Sequence, residues 1–182
     1  MAKLTALAKD MGATTQFTAV ESGKALEYMA MAGWKTKQMI GGLPGIMNLA
    51  AASGEDLGSV SDIVTDALTA FRMNAEDAGR FADVLAQASS NANTNVGMMG
   101  ATFQKVAPVA GALGYSVEDM SLAIGLMANA SIKADVAGTS LKTSLANMAK
   151  PTKQMKAYMD RYGISLTRSD GTMKTFREVV DN

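Results

Sequence analysis

Leu113-Gly114-Tyr115-Ser116-Val117-Glu118-Asp119 ends one helix and begins another. Gly114 suits the left-handed residue that closes a helix, because it has no Cβ to clash there. Ser116 can accept a hydrogen bond from a first-turn N–H, and the acids after it favour the positive end of the new helix. Phe71-Arg72-Met73-Asn74-Ala75-Glu76-Asp77 carries the same succession: a helix end, a large apolar residue, a capping residue and a polar first turn. So does Ala32-Gly33-Trp34-Lys35-Thr36-Lys37-Gln38. The three stand roughly forty residues apart. In chain order the second and third also agree downstream, where Leu85-Ala86-Gln87-Ala88-Ser89 parallels Met127-Ala128-Asn129-Ala130-Ser131. Ala51-Ala52-Ser53 is a weaker counterpart in the first unit. The bland alternative is ordinary helix-cap grammar, which recurs in any helical protein. The favoured reading is an array of helix hairpins, each burying a face on its neighbour.

Outward from these turns, helical signals run from Thr18 to about Tyr162. Thr18 with Glu21 forms a capping box for a helix that stops at Gly33. Thr36 is expected to cap a short helix ending before Pro44, with Pro44 opening the next piece as far as Ser53 and Gly54. Leu57, Val60, Val64, Ala67, Leu68 and Phe71 mark one helical face. After Asn74, the face Ala78, Phe81, Ala82, Leu85 and Ala88 opposes a polar one of Glu76, Arg80, Asp83 and Gln87. Asn91-Ala92-Asn93-Thr94-Asn95 is a turn and cap cluster. Val96, Met99, Phe103, Val106, Ala110 and Leu113 form a heptad-like seam that Pro108 should kink or divide. The helix from Val117 to about Ala130 is apolar nearly all round and is expected to be the most buried. Its small or polar stripe, Ser121, Gly125 and Asn129, leaves room for a neighbour. Ala134, Ala137, Leu141, Leu145 and Met148 define a further helix ended at Lys150-Pro151, and a shorter one covers Lys153 to Tyr162.

The tail changes character. Ile164-Ser165-Leu166-Thr167, a Ser169-Asp170-Gly171 turn and Thr172-Met173-Lys174 predict a small β-hairpin, which must pack on the helical body to be stable. Phe176 to Asp181 then restarts a helix. The expected organisation is therefore an all-α array or bundle over residues 1–162, with three approximate repeats, followed by a hairpin and the start of a further helix over 163–182.

Composition agrees with a packed chain: 182 residues, 48% hydrophobic and 19% charged. Aromatics are scarce at 5%, while methionine, which fills irregular gaps, numbers 15. Seventeen basic residues balance seventeen acidic ones, so there is no clustered positive charge for sequence-specific nucleic acid. There is no Cys and no His. That excludes disulfides, thiol catalysis and the usual zinc sites, and it weighs against an enzyme without eliminating carboxylate or lysine chemistry. No leader-like apolar segment follows Met1. The chargeless run between Lys37 and Glu55 is too short and too broken by Gly41, Gly42, Pro44 and Gly45 to span a bilayer.

Few motifs suggest chemistry. Glu55-Asp56, Glu76-Asp77 and Glu118-Asp119 could be acid–base pairs or ligands for a hard metal. Their place in or near first helical turns favours a structural role. Asp170-Gly171 lacks the alternating oxygen ligands and the closing Glu of a calcium loop. Ser116 and Ser121 have neither a histidine nor a suitably spaced lysine. Gly41-Gly42-Leu43-Pro44-Gly45 lacks the ending of a phosphate loop and reads as a helix break. Met29, Met31, Met98, Met99, Met120 and Met127 could form an adaptable partner surface, but more often such residues are core. No catalytic, cofactor-binding or metal-binding residue is expected.

An ordered series of segments resembles the conserved domain of phage tail tape-measure proteins, of the kind found in long-tailed phages of Gram-positive hosts. The segments are Tyr28-Met29-Ala30-Met31-Ala32-Gly33-Trp34, Leu43 to Ser53, Asp62 to Phe71, Ser90 to Thr94, Val106-Ala107-Pro108-Val109-Ala110, Ala137-Gly138-Thr139-Ser140-Leu141, and Tyr162-Gly163-Ile164 with Asp170-Gly171. One departure is Ser89-Ser90-Asn91-Ala92-Asn93-Thr94, where the family tends to a shorter Ser-Asn-Thr; it touches only a local loop. The resemblance implies a structural segment of a phage or prophage protein concerned with tail assembly and tail length, with no catalytic motif. It implies a longer parent chain, made in the host cytoplasm and lying in the lumen of the virion tail tube. The partners it implies are tail tube proteins, tail assembly chaperones, baseplate or tail-tip proteins, and other copies of itself. Many caps and glycine breaks oppose one long helix, so this segment is expected to be a folded module. The alternatives are a stand-alone helical interaction module, a membrane-active segment acting at genome ejection, or a cell-wall hydrolase domain, for which a chain without His or Cys is a poor candidate.

Overall fold

The computed structural model describes residues 2–175 together with Glu178 and Val179. Helices α1 (Ala2–Thr14), α2 (Ala19–Met31), α3 (Thr36–Ser53), α4 (Leu57–Ala70), α5 (Ala78–Asn91), α6 (Val96–Leu113), α7 (Val117–Asn129), α8 (Ala134–Ala149) and α9 (Lys153–Tyr162) follow in chain order. A 3-10 turn, Ala75–Asp77, leads into α5.

One turn chemistry recurs between them. Trp34 N–H donates to the Met29 carbonyl (3.0 Å), Met73 to Leu68 (2.9 Å), Tyr115 to Ala110 (3.0 Å), Ile132 to Met127 (2.8 Å) and Ile164 to Met159 (2.8 Å). Each bond spans six residues and satisfies a carbonyl that the helix end leaves open, with an apolar residue following the left-handed one. The left-handed position is Gly33, Arg72, Gly114, Ser131 or Gly163, with φ between 56° and 83°. The next helix then starts on a cap. Thr18 and Ser116 form capping boxes with Glu21 and Asp119, and Asp56, Asn95 and Thr152 accept from first-turn N–H groups.

These turns fold the chain into two layers. Helices α2, α4, α6 and α8 lie side by side in one; α3, α5 and α7 lie side by side in the other; α1 covers the α2 end. The members of the first layer begin at Ala19, Leu57, Val96 and Ala134, a nearly constant spacing. The core lies between the layers. At its centre Phe103 meets Phe71 and Phe81 edge-on, with centroids 5.9 and 5.6 Å apart. Glycines set the closest approaches. A Cβ on Gly45 would lie 2.8 Å from Gly79 Cα, so α3 and α5 touch backbone to backbone. Gly138 brings α8 against Thr102 of α6, whose hydroxyl donates to the Ala134 carbonyl (2.9 Å).

Several expectations need correction. Pro44 and Pro108 neither end nor divide their helices; α3 and α6 run through them. Both prolines are exposed, as are Ile40 and Gln104 four residues earlier. The carbonyls that lose a partner therefore lie on the wet side, where water satisfies them. The cap of α3 is Lys35, not Thr36, with the Gln38 side chain accepting the Lys35 N–H (2.9 Å). Helix α1 was not anticipated, although Leu4, Leu7, Ala8 and Met11 pack against the core. Helix α7 is not the most buried element, since Leu122 and Leu126 are exposed. The expected β-hairpin amounts to one isolated antiparallel bridge, Thr167 with Met173, and no strand forms among the described residues. Only Met173 of this turn packs against the core, too little apolar surface to hold a longer ladder. Of the helix expected over 176–181, Glu178 and Val179 are helical and the rest lies outside the described residues.

Candidate interaction surface

The acidic pairs all serve helix starts. Asp56 caps α4, accepting from Ser59 N–H (2.9 Å), a bond that holds its carboxyl below the usual range. Glu55 reaches across to the Gly97 N–H (3.2 Å) in the first turn of α6. Asp77 accepts from Asn74 N–H (3.0 Å), and Asp119 from the Ser116 hydroxyl (2.8 Å). Glu118 pairs with Arg80 (2.6 Å). The structure thus ties most of these carboxylates to separate helix starts. Among the described residues no three of His, Cys, Asp and Glu lie close enough to hold a metal ion. Asp170 accepts from its own turn at Thr172 N–H (2.9 Å). Met29, Met99 and Met120 are buried and Met127 is partly so, while Met31 and Met98 face solvent.

The surface with the most distinctive geometry is a groove of about 320 Å³ between α5 and α7. Sequence reasoning placed the stripe Ser121, Gly125 and Asn129 where a neighbour could come close, and α5 is that neighbour. The two helices are tied at both ends. Arg80 and Glu118 pair at one end; at the other, Asn129 Oδ1 accepts the Asn93 N–H (2.8 Å) and Gly125 approaches Ala92. Between the ties lies the groove, and the one glycine there, Gly125, meets only Ala92 and makes no backbone contact like that of Gly45 with Gly79. Val84 and Ala88 form one wall; Leu122 and Leu126, 52% and 63% exposed, form the other. Ser121 lines the floor. It is 97% buried, and its hydroxyl has no hydrogen-bond partner among the described residues. Its oxygen has essentially no exposed surface, so it stands as a small unsatisfied cost inside the helix packing. The groove escaped the sequence reading because leucines on a helix that looks apolar all round read as core.

No helix among the described residues is long and apolar enough to cross a membrane. The Gln38–Gly54 run instead buries Met39, Leu43, Ile46, Met47, Leu49 and Ala50 of α3 in the core.

Known proteins resemble this chain in sequence. It is 39% identical over 171 residues to the tape measure protein of Pneumococcus phage Dp-1, covering 94% of this chain and 15% of that protein. It is 23% identical over 174 residues to the probable tape measure protein of Escherichia phage P2, covering 96% of this chain and 21% of that protein. The chain thus spans about a sixth to a fifth of the length of these curated relatives. No solved structure matches it. The family described as phage-related minor tail protein matches residues 5–182, and the chain belongs to that family.

Proposed function

We propose that this chain is a folded, non-catalytic structural segment of a phage or prophage tail tape-measure protein, acting in tail assembly and tail-length determination. The observation that carries this reading is the collinear similarity to a tape measure protein over 94% of the chain. The fold supports a module rather than a stretch of ruler. Drawn out as one helix, 182 residues would span about 270 Å at 1.5 Å per residue. Stacked as α2, α4, α6 and α8 at 8–10 Å between axes, they span about 40 Å. The proposed setting is the lumen of the tail tube. The proposed partners are tail tube proteins, tail assembly chaperones and baseplate or tail-tip proteins, with synthesis in the host cytoplasm.

The test is an in-frame deletion of this segment from the parent gene, read by electron microscopy of the tails. The expected result is lower tail yield, with surviving tails shorter by on the order of 40 Å if the stack persists inside them. Tails of unchanged length and yield would remove the segment from both assembly and measurement.

A further inference from the structure

We propose that residues 150–166 are a terminator of the helix-hairpin stack, with Pro151 the residue that turns α9 out of it. Each repeat in such a stack offers a face to the next, so an array needs a device that ends it. Three connections lead from the first layer to the second, and one N–H closes each: Trp34 to the Met29 carbonyl, Met73 to Leu68 and Tyr115 to Ala110. Each donor stands between a left-handed residue and the cap of the next helix, which is Lys35, Asn74 or Ser116. The fourth connection follows α8. There Thr152 is the cap, so the donor's place falls to Pro151, which has no N–H to give. Proline also drives the residue before it toward extended values, and Lys150 takes φ −134° where the other turns are left-handed.

The helix after this turn is altered to match. The second-layer units begin at Thr36, Ala75 and Val117, and α9 begins at Lys153, about where a fourth is due. Four residues after their caps the three units bury Met39, Ala78 and Met120; eight residues after, they bury Leu43, Ala82 and Ile124. At the same two places α9 has Lys156 and Asp160, both exposed, and none of its residues is buried. A charge at a core position is costly, so α9 cannot pack in that register even if the turn allowed it. The first layer ends in the same way. Helix α6 lies between α4 and α8, whereas α8 presents exposed Ser140, Thr143, Ser144 and Asn147 outward. A polar outer face is what the last unit of an array requires. Past α9 the chain returns to the body: Met173 packs against the core, and the turn that holds it shares a cleft with Ala149. Helix α9 is thus an excursion between two anchored ends.

The test converts the terminator into a repeat within the full chain: Lys150→Gly and Pro151→Tyr rebuild the turn, and Lys156→Met and Asp160→Leu rebuild the face. None of the four positions is buried, so the rest of the stack should keep its fold. The chain has no cysteine, so Leu122→Cys and Tyr158→Cys, both exposed and both six residues after a cap, give unique sites for a pair of spin labels. In the converted chain the label distance should shorten toward that of packed helices, roughly 10 Å between axes plus the labels. Exchange of the α9 amides should slow at least about tenfold. A label distance and exchange rates that match the parent's overturn the proposal. A second measurement needs no conversion. Ala157→Pro breaks α9 alone, and urea unfolding followed by Trp34, the one tryptophan, should keep its midpoint. A midpoint that falls would make α9 part of the stack and overturn the proposal as well.

Discussion

Gly45→Ala and Gly41→Ala make the same chemical change in one helix, and the structure gives them opposite signs. In a helix interior alanine is favoured over glycine by about 0.5–1 kcal/mol, mainly through backbone entropy. A Cβ on Gly41 meets nothing within 4 Å, so the full gain should appear there. A Cβ on Gly45 would lie 2.8 Å from Gly79 Cα and 3.1 Å from Gly79 N. Those are backbone atoms, so relief requires α3 and α5 to separate. Overpacking of that kind costs roughly 1–3 kcal/mol, which outweighs the propensity gain and leaves a net loss of up to about 2.5 kcal/mol. For a chain of this size each kcal/mol moves the melting temperature by about 2–4 °C. Gly45→Ala should therefore melt a few degrees below the parent and Gly41→Ala a few degrees above it. The assay is urea and thermal unfolding followed by circular dichroism, with an unchanged urea slope confirming that only the native state was touched. Gly45→Ala matching or exceeding the parent, while Gly41→Ala gains as expected, would show slack in the α3–α5 seam and refute the role given to these glycines.

Phe103→Ala removes the ring shared by Phe71 and Phe81 at the centre of the stack and should cost about 3–5 kcal/mol in urea unfolding. Arg72 is a non-glycine residue at φ 56° in a turn where Gly33 and Gly114 hold the equivalent place, so Arg72→Gly should gain about 1 kcal/mol in the same assay. Glu178 is held down to about 2 by the Thr175 N–H and by Arg168. A depressed carboxylate contributes stability above its unfolded pKa near 4.5 and loses it as pH falls through the folded value. The Arg168–Glu178 link should thus persist at pH 4 and open only near pH 2, as a carboxyl-carbon titration by NMR would show.

What the sequence revealed and what it hid divide along a physical line. Ends of helices are local chemistry. Gly114 and Ser116 reveal a stop and a start because a left-handed residue and a side-chain acceptor act on backbone groups a few positions away. Arg72 and Ser131 fill the same left-handed role without being glycine, so no glycine marks those two stops in the sequence. The helix interiors were harder. Pro44 and Pro108 argued for breaks because their cost was judged without knowing that both face water. Gly42 and Gly45 read as part of a helix break, whereas they supply room: for Trp34 and Ala78 in one case, for Gly79 in the other. Leu122 and Leu126 read as core because composition cannot distinguish a face that meets a neighbour from one that lines a groove. Helix α1 passed unnoticed because no cap announces it; its burial depends on α2 being already in place.

The same features bear on the proposed function, service in a protein that measures length. A continuous helix converts residues to distance at a fixed rate, so every insertion counts equally. Here the conversion is interrupted at Gly33, Gly54, Arg72, Gly114, Ser131 and Gly163, each in a left-handed conformation that a straight helix cannot contain. Drawing the stack into one helix would reverse all six and expose Phe103, Phe81, Leu43 and Ile46, which are buried now. Domains of this size resist such opening by about 5–15 kcal/mol, a barrier that binding by chaperones or confinement in a tube could meet but thermal motion does not. If the stack survives assembly, tail length cannot be strictly proportional to residue number along the parent chain. Deleting these residues would then shorten the tail several-fold less than deleting the same number from a region of continuous helix. Equal shortening from the two deletions would mean that the tube holds this segment open, and that its fold belongs to the stage before the tail closes around it.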